Sequence, residues 1–207
     1  MRAAVILAGG LSARFGTDKA LELLSGLPLV SWVAAQAKRE VDDVIITIGA
    51  SQDISRYLRV LPPKVKVIVD KVALRNPMIG ILTGLEATSS QYAVILTCDV
   101  PFVSATVIRH LFERAIGYDA AIPKWPNGNL EPLQAVYKVE STLRAVRQTL
   151  AAREQRVVHM IKRLQRVAYI STEHLKRFDG KLLTFFNINS REDLKVATRI
   201  LRDMETV

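Results

Sequence analysis

Short apolar runs bounded by turn residues alternate along this chain with longer stretches in which apolar residues recur at helical spacing. The runs at 3–7, 44–48, 65–69 and 93–97 are apolar nearly throughout and rich in Val and Ile, the composition of strands buried on both faces of a mainly parallel sheet. A fifth candidate strand lies at 120–122. Between them, three- and four-residue apolar spacing predicts helices over about 29–40, 53–60, 78–89 and 104–116. This β-α-β-α-β-α-β order predicts an α/β fold: a single domain with a Rossmann-like, mainly parallel twisted sheet flanked by helices. No internal repeat and no low-complexity linker interrupts it.

From about residue 139 the pattern changes. Leu143, Val146, Leu150, Val157, Ile161 and Leu164 repeat at helical spacing, while Arg144, Arg147, Arg153, Arg156, Lys162, Arg163 and Arg166 occupy other faces, with a break between two helices at Glu154-Gln155. The basic stripe reads equally well as a solvated face or as an anion-binding surface. A last helix is predicted over 190–204, with Ser190 as N-cap and Asp193 in the capping-box position that Glu usually holds.

Composition adds constraints. The 207 residues are 49% apolar and 24% charged, enough for one packed core and unlike a disordered chain. Lys plus Arg total 29 against 20 Asp plus Glu, a net +9 that favours anionic partners such as phosphates and nucleotides. The single cysteine, Cys98, excludes an intramolecular disulfide and a Cys-based zinc cage. No apolar run approaches the ~20 residues of a membrane span. The apolar stretch from Ala3 to Ala8 is shorter than the ~7–15 residues of a secretory signal and stops at Gly9-Gly10, so it is read as the first strand of a cytoplasmic protein with no membrane partner.

The sharpest chemical signal follows that strand: Leu7-Ala8-Gly9-Gly10-Leu11-Ser12-Ala13-Arg14-Phe15-Gly16-Thr17-Asp18-Lys19. Glycines let backbone N–H groups approach phosphate oxygens, Arg14 can fork onto them, and Lys19 can set a compact positive charge beside them. A Walker A loop needs four residues between its glycines and a Gly-Lys pair; here five residues separate Gly10 from Gly16, and Thr17-Asp18 precede the lysine. The dinucleotide fingerprint G-x-G-x-x-G is also missing. A tight turn with incidental basic residues is the plain alternative.

Asp99 follows the fourth strand, where carboxylates of parallel sheets face the ligand crevice, and as a hard oxygen ligand it suits Mg²⁺ shared with phosphate oxygens. Cys98 has no neighbouring His in sequence and reads as packing beneath the site. Asp70 ends the third strand and by itself is ordinary turn chemistry. Gly80 and Gly84 lie inside a helical pattern and imply close approach of a ligand or strand, or helix packing. Asn187 and Asn189 are two apart; in an extended chain they share a side and offer amide donors and acceptors, and turn formation before the last helix is the simpler reading. His110, His159 and His174 fall in helical or surface contexts, so no histidine base is expected.

Together these segments resemble the MobA-like nucleotidyltransferase family, the molybdenum cofactor guanylyltransferases. The resemblance covers the 7–19 loop, Asp70, Pro77–Leu85, Thr97–Phe102, Glu131-Pro132-Leu133, Glu154–Val157 and Asn187–Leu194. It implies a fold of the nucleotide-diphospho-sugar transferase type, a nucleotide-binding half over 1–125 and an acceptor-binding half over 126–207. It also implies transfer of GMP from GTP to the terminal phosphate of molybdopterin, with pyrophosphate released. By position, Leu7, Ala8, Gly9, Gly10, Lys19, Asp70, Gly80 and Asp99 would bind GTP. Asp99 would hold Mg²⁺ as cofactor, Arg14, Lys19 and Asp99 would act in catalysis, and Arg156, Asn187 and Asn189 would face molybdopterin. A molybdopterin-delivering protein is a further conceivable partner.

Three positions depart from the family pattern: Asn76-Pro77-Met78 stands for Gly-Pro-Leu, Gly49 for an Asn after the second strand, and Ser190 for Thr. The first two bear on base choice. The competing readings are a related transferase using CTP or a sugar or polyol phosphate, a nucleotide sensor without catalysis, and a nucleic-acid-binding domain. Aromatic content of 6% and the lack of a nucleic-acid motif argue against the last.

Overall fold

The computed structural model describes residues 1–9, 18–70 and 76–205. Nine strands form in chain order: β1 (Arg2–Leu7), β2 (Leu23–Leu24), β3 (Leu27–Pro28), β4 (Asp43–Ile48), β5 (Lys66–Val69), β6 (Tyr92–Thr97), β7 (Ala120–Lys124), β8 (Ala135–Lys138) and β9 (Val167–Ser171). The α-helices are α1 (Leu29–Lys38), α2 (Ile54–Leu58), α3 (Pro77–Glu86), α4 (Ala105–Ala115), α5 (Val139–Ala151), α6 (Val157–Ile161), α7 (Thr172–Leu175) and α8 (Arg191–Glu205). Seven strands make one sheet in the order β5-β4-β1-β6-β8-β7-β9. Within it only β8 runs against its neighbours.

β1, β4 and β6 are sandwiched as their composition requires, whereas β5 is the edge strand and none of Lys66–Val69 is buried, so the expectation of burial on both faces fails for that run. In β1, Ala4 and Ile6 face a core shared with α1, α2, α4 and α7, and Ala3, Val5 and Leu7 face one shared with α3, α5 and α6. A third, smaller core joins Leu24 and Leu29 to Ile188, Ala197 and Leu201, fastening α8 to the β2–β3 hairpin. That hairpin turns on Ser25 and Gly26, both at positive φ (50° and 84°), as a two-residue primed turn demands.

The five predicted strands and the first four helices are present with ends shifted by no more than a few residues. The two helices expected on either side of Glu154-Gln155 form as α5 and α6, but two strands beyond residue 125 have no counterpart in the sequence reading. β8 fills the position between β6 and β7, and β9 is an edge strand whose exposed Tyr169 and Ser171 alternate with buried Ala168 and Ile170. The helical pattern through Leu164 is therefore cut short, with α6 ending at Ile161. The predicted break at Glu154 is real. Arg153 N–H donates to Leu150 O at 2.9 Å and Glu154 N–H to Thr149 O at 3.1 Å, a Schellman closure in which Arg153 takes the left-handed position (φ 56°) that usually holds glycine.

The two halves expected from sequence share this one sheet: β7, from the first, lies outside β8, from the second. Among the described residues, no helix is long and apolar enough to cross a membrane.

Gly84 explains how α3 lies so close to the sheet. A Cβ there would stand 2.2 Å from Val5 Cγ1 in the central strand. Gly84→Ala should therefore cost roughly 1–3 kcal/mol by overpacking, lowering the melting temperature by ~2–4 °C per kcal/mol in a thermal melt.

Candidate active site

The sheet itself locates the crevice. β1 pairs with β4 on one side and β6 on the other, and the chain leaves the β1–β6 pair in opposite directions, so a cleft opens above their C-terminal ends. Register brings Leu7 level with Thr47 and Thr97. Ala8 N–H donates to Thr47 O (2.8 Å) and Cys98 N–H to Leu7 O (3.1 Å), so the start of the glycine loop and Asp99 leave the sheet side by side.

Lys19 closes the cleft from the far end of that loop. Its Nζ lies 2.6 Å from Asp99 Oδ2 and donates to Asn189 Oδ1 at 2.9 Å. The Lys19 and Asp99 side chains are only 14% and 16% exposed, so salt screens their attraction weakly. The other Asp99 oxygen accepts from the Thr97 hydroxyl. Asn189 is brought in by its neighbours. Ile188 N–H donates to Asp99 O (2.9 Å) while the Ile188 side chain is fully buried. The capping expectation at α8 holds: Asp193 N–H donates to Ser190 Oγ (3.1 Å), and the shorter Asp193 carboxylate reaches one residue further back, to Asn189 N–H (2.8 Å). Asp99 and Asn189 thus meet at one ammonium, that of Lys19, from which Asn189 lies 170 positions away in sequence.

A buried network that sequence reading missed fixes Lys19 in place. Asp18, 6% exposed, accepts from Tyr57 OH (2.8 and 2.9 Å), from Gln52 Nε2 (2.8 Å) and from Ala20 N–H (3.3 Å), capping the short 3₁₀ turn Lys19–Leu21. Gln52 Nε2 also donates to Ala8 O (3.0 Å), and its Oε1 accepts from Gly49 N–H at 2.6 Å. One amide therefore ties both ends of the glycine loop to the end of β4. Burial, then the Asp18 charge, push the Tyr57 phenol far up, so it stays a donor. No motif in the sequence singles out Tyr57 or Gln52, and only the fold joins them to Asp18.

On the β4–β5 side, a Cβ on Gly9 would lie 3.3 Å from Gly49 N and 3.4 Å from Asp70 Oδ2, so bare backbones pack here. Gly80, one turn into α3, abuts Thr47 Oγ1 and Leu7, and Gly84 abuts Val5; both glycines make room for strands. Asn76 caps α3 through Met78 N–H (2.9 Å), with Pro77 at the first helical position. Burial raises the Asp70 carboxyl above its ordinary value.

Gly10 and Arg14 lie outside the described residues. Lys19, Asp99 and Asn189 are joined by hydrogen bonds, Leu7 and Ala8 lead out of β1 beside Asp99, and Gly9 and Gly80 pack near Asp70 and Thr47 respectively. Asn187 stands two residues from Asn189 with its amide turned to Phe185 O (3.1 Å). Arg156 is the exposed N-cap residue of α6 and makes no ion pair among the described residues. Several members of the basic stripe are committed elsewhere: Arg144 to Glu140, Arg147 to Glu86, Arg163 to Glu154, and Arg166 over the Tyr118 ring. Burial, with the Asp99 charge, pushes the Cys98 thiol far up, consistent with packing and not attack. His110 stacks on Phe178 beside His174, in the 104–116 helix region away from Asp99.

No group of three or more His, Cys, Asp or Glu among the described residues could hold a metal unaided. A lone carboxylate such as Asp99 could hold Mg²⁺ only together with ligands from elsewhere, because Mg²⁺ commonly takes one or two carboxylates and completes its shell with phosphates and water.

Comparison with known proteins agrees with this geometry. Residues 4–167 match the model of the MobA-like NTP transferase domain. The chain is 34% identical over 200 residues to a probable molybdenum cofactor guanylyltransferase of Pelotomaculum thermopropionicum, covering 96% of this chain and 92% of the relative. A protein of the same description from Natronomonas pharaonis is 33% identical over 199 residues, covering 95% and 96%. Among solved structures, molybdopterin-guanine dinucleotide biosynthesis protein A from Archaeoglobus fulgidus superposes with a TM-score of 0.83 at 28% identity, over 98% of this chain and all of that one (100%).

Two measurements test the site. Tyr57→Phe strips a donor from a buried carboxylate and should cost ~1–3 kcal/mol in urea unfolding, with activity falling as Lys19 loosens. Asp70→Asn should do the opposite to stability. With its folded pKa raised, Asp70 favours folding below its unfolded pKa and loses that contribution as pH rises through the folded value. The Asn variant should therefore melt higher than the parent at neutral pH, and the difference should vanish near pH 3.

Proposed function

The chain belongs to the MobA-like NTP transferase family, and from that premise we propose that it transfers GMP from GTP to the terminal phosphate of molybdopterin, releasing pyrophosphate. The observation that carries the reading is the convergence of Lys19, Asp99 and Asn189 at the β1–β6 crevice. It joins a cation from the nucleotide loop, a metal-competent carboxylate and an amide from the opposite end of the chain.

In this reading an oxygen of the molybdopterin phosphate attacks the α-phosphorus of GTP in line. The new P–O bond forms as the bond to the β-phosphate bridging oxygen breaks, and that electron pair leaves on pyrophosphate. The nucleophile is already anionic, so no general base is needed, in keeping with a cleft that has no histidine among its described residues. Positioning and charge neutralisation supply the rate. Lys19 exchanges Asp99 for phosphate oxygens, and the freed Oδ2 is then available to a cation. Bound there with the nucleotide, Mg²⁺ would neutralise charge on the phosphates; Asp99 would hold it, with Thr97 orienting the carboxylate. Gly9 and Asp70 lie on the base side of the cleft. Asn189, steadied by the α8 cap, and Asn187 would face the acceptor, as would Arg156, which makes no ion pair among the described residues and stands in the Glu154–Val157 segment that the family resemblance marks.

Supplying molybdopterin with each of the four NTPs and measuring pyrophosphate tests the whole reading: GTP should be the productive donor, and a CTP preference would reject it. Asp99→Ala and Asp99→Asn should both reduce turnover by at least ~10²-fold with the fold intact by circular dichroism. Mg²⁺ alone should give no heat in calorimetry, whereas Mg²⁺ with GTP should bind. Arg156→Ala should raise KM for molybdopterin and leave GTP affinity unchanged.

A further inference from the structure

Residues 139–167 hold seven Lys or Arg against two Glu, and so carry five of the nine excess positive charges of the chain. Four of the seven are answered within the fold. Arg144 pairs with Glu140, Arg147 with Glu86 and Arg163 with Glu154, and Arg166 lies over the Tyr118 ring. Both acids of the segment are thereby used. Arg153, Arg156 and Lys162 are exposed, and their side chains make no ion pair or hydrogen bond among the described residues.

The fold brings two of these free cations to one corner. Arg163 Nη1 lies 2.6 Å from Glu154 Oε2, which ties the chain just past α6 to the turn just before it. Arg153 and Lys162 are the chain neighbours of that pair, and Ala151, Ala152 and Val158, the last 36% exposed, belong to the same corner. Arg153 is moreover held at φ 56°, a left-handed conformation that costs stability for any side chain and none for glycine. Glycine would close the Schellman turn better. An arginine stands there against the backbone's own preference, and no partner of its guanidinium within the described fold compensates.

We propose that the α5–α6 corner docks an acidic segment of a partner protein, with Arg153 and Lys162 meeting its carboxylates and the exposed Val158 an apolar side chain. The uncompensated positive charge sets the sign of the partner. Composition selects a protein over a nucleic acid. A nucleic-acid strand is gripped by a longer row of phosphate contacts, with aromatic rings stacked on its bases. Residues 139–167 contain no aromatic residue and place exposed apolar side chains beside the cations. Docking here is independent of the transfer reaction, and Arg156, already assigned to the acceptor, stays unchanged in the variants.

The test uses two fluorescein-labelled probes, a twelve-residue peptide of repeated Glu-Glu-Leu and a twelve-nucleotide oligothymidine, with affinities read by anisotropy in low-salt buffer. Arg153→Gly combined with Lys162→Gln removes two charges from the corner. Lys64→Gln combined with Lys195→Gln removes two from exposed positions elsewhere. The corner variant should bind the peptide at least ~5-fold more weakly than the parent, and the control variant less than ~2-fold more weakly. Arg153→Gly alone should bind the peptide more weakly yet melt ~2–4 °C higher, opposite signs that a purely structural arginine would not give. A parent that does not bind the peptide, a control that loses as much as the corner variant, or a lower melting temperature in Arg153→Gly overturns the proposal. So does an oligothymidine that binds the parent more tightly than the peptide and is weakened in the corner variant, which assigns the surface to nucleic acid.

Discussion

Asp18 is a carboxylate taken out of water, and an unpaired charge in that position would cost several kcal/mol. Tyr57 and Gln52 remove most of that penalty by donating to it, and in doing so they dictate the path of the chain on both sides. Because Gln52 also holds Ala8 O and Gly49 N–H, the glycine loop leaves β1 and returns to Lys19 across a span that two elements of the sheet already fix. Lys19 is then delivered to Asp99 with little freedom left to lose. The Lys19–Asp99 contact owes its geometry to a network in which neither of those two side chains takes part.

A second constraint comes from the opposite end of the chain. Ile188 plugs the small core beneath the β2–β3 hairpin, and its N–H bonds to the carbonyl of Asp99 itself. Asn187 and Asn189, which flank Ile188, are thus referenced to the same residue that receives Lys19. The α8 cap, which ties Asn189 N–H to Asp193, makes the last helix part of the site's scaffolding.

What was legible in the sequence follows from range. The three doubly buried strands β1, β4 and β6 and their helices announce themselves because burial on both faces leaves no polar alternation to misread, and Asp99 follows from standing at the end of one of them. β8 was not legible: its four residues continue into α5 without a turn signal, and only pairing to β6 and β7 makes them a strand. The arginine stripe looked like one surface, yet partners such as Glu86 and Tyr118 come from distant elements. Gln52 and Tyr57 belong to the same class, ordinary in sequence and decisive only once Asp18 folds onto them.

The insertion of β8 between β6 and β7 also has a consequence for synthesis on the ribosome. When residues through 124 have emerged, β7 has no neighbour to pair with, and the outer edge of β6 is bare. Both remain so until residue 138 follows, about a second or more later at ~5–20 residues per second. During that interval the nascent chain carries an open, Val- and Ile-rich strand edge of the kind that recruits other chains. The antiparallel strand β8, by pairing with both β6 and β7, also closes this window.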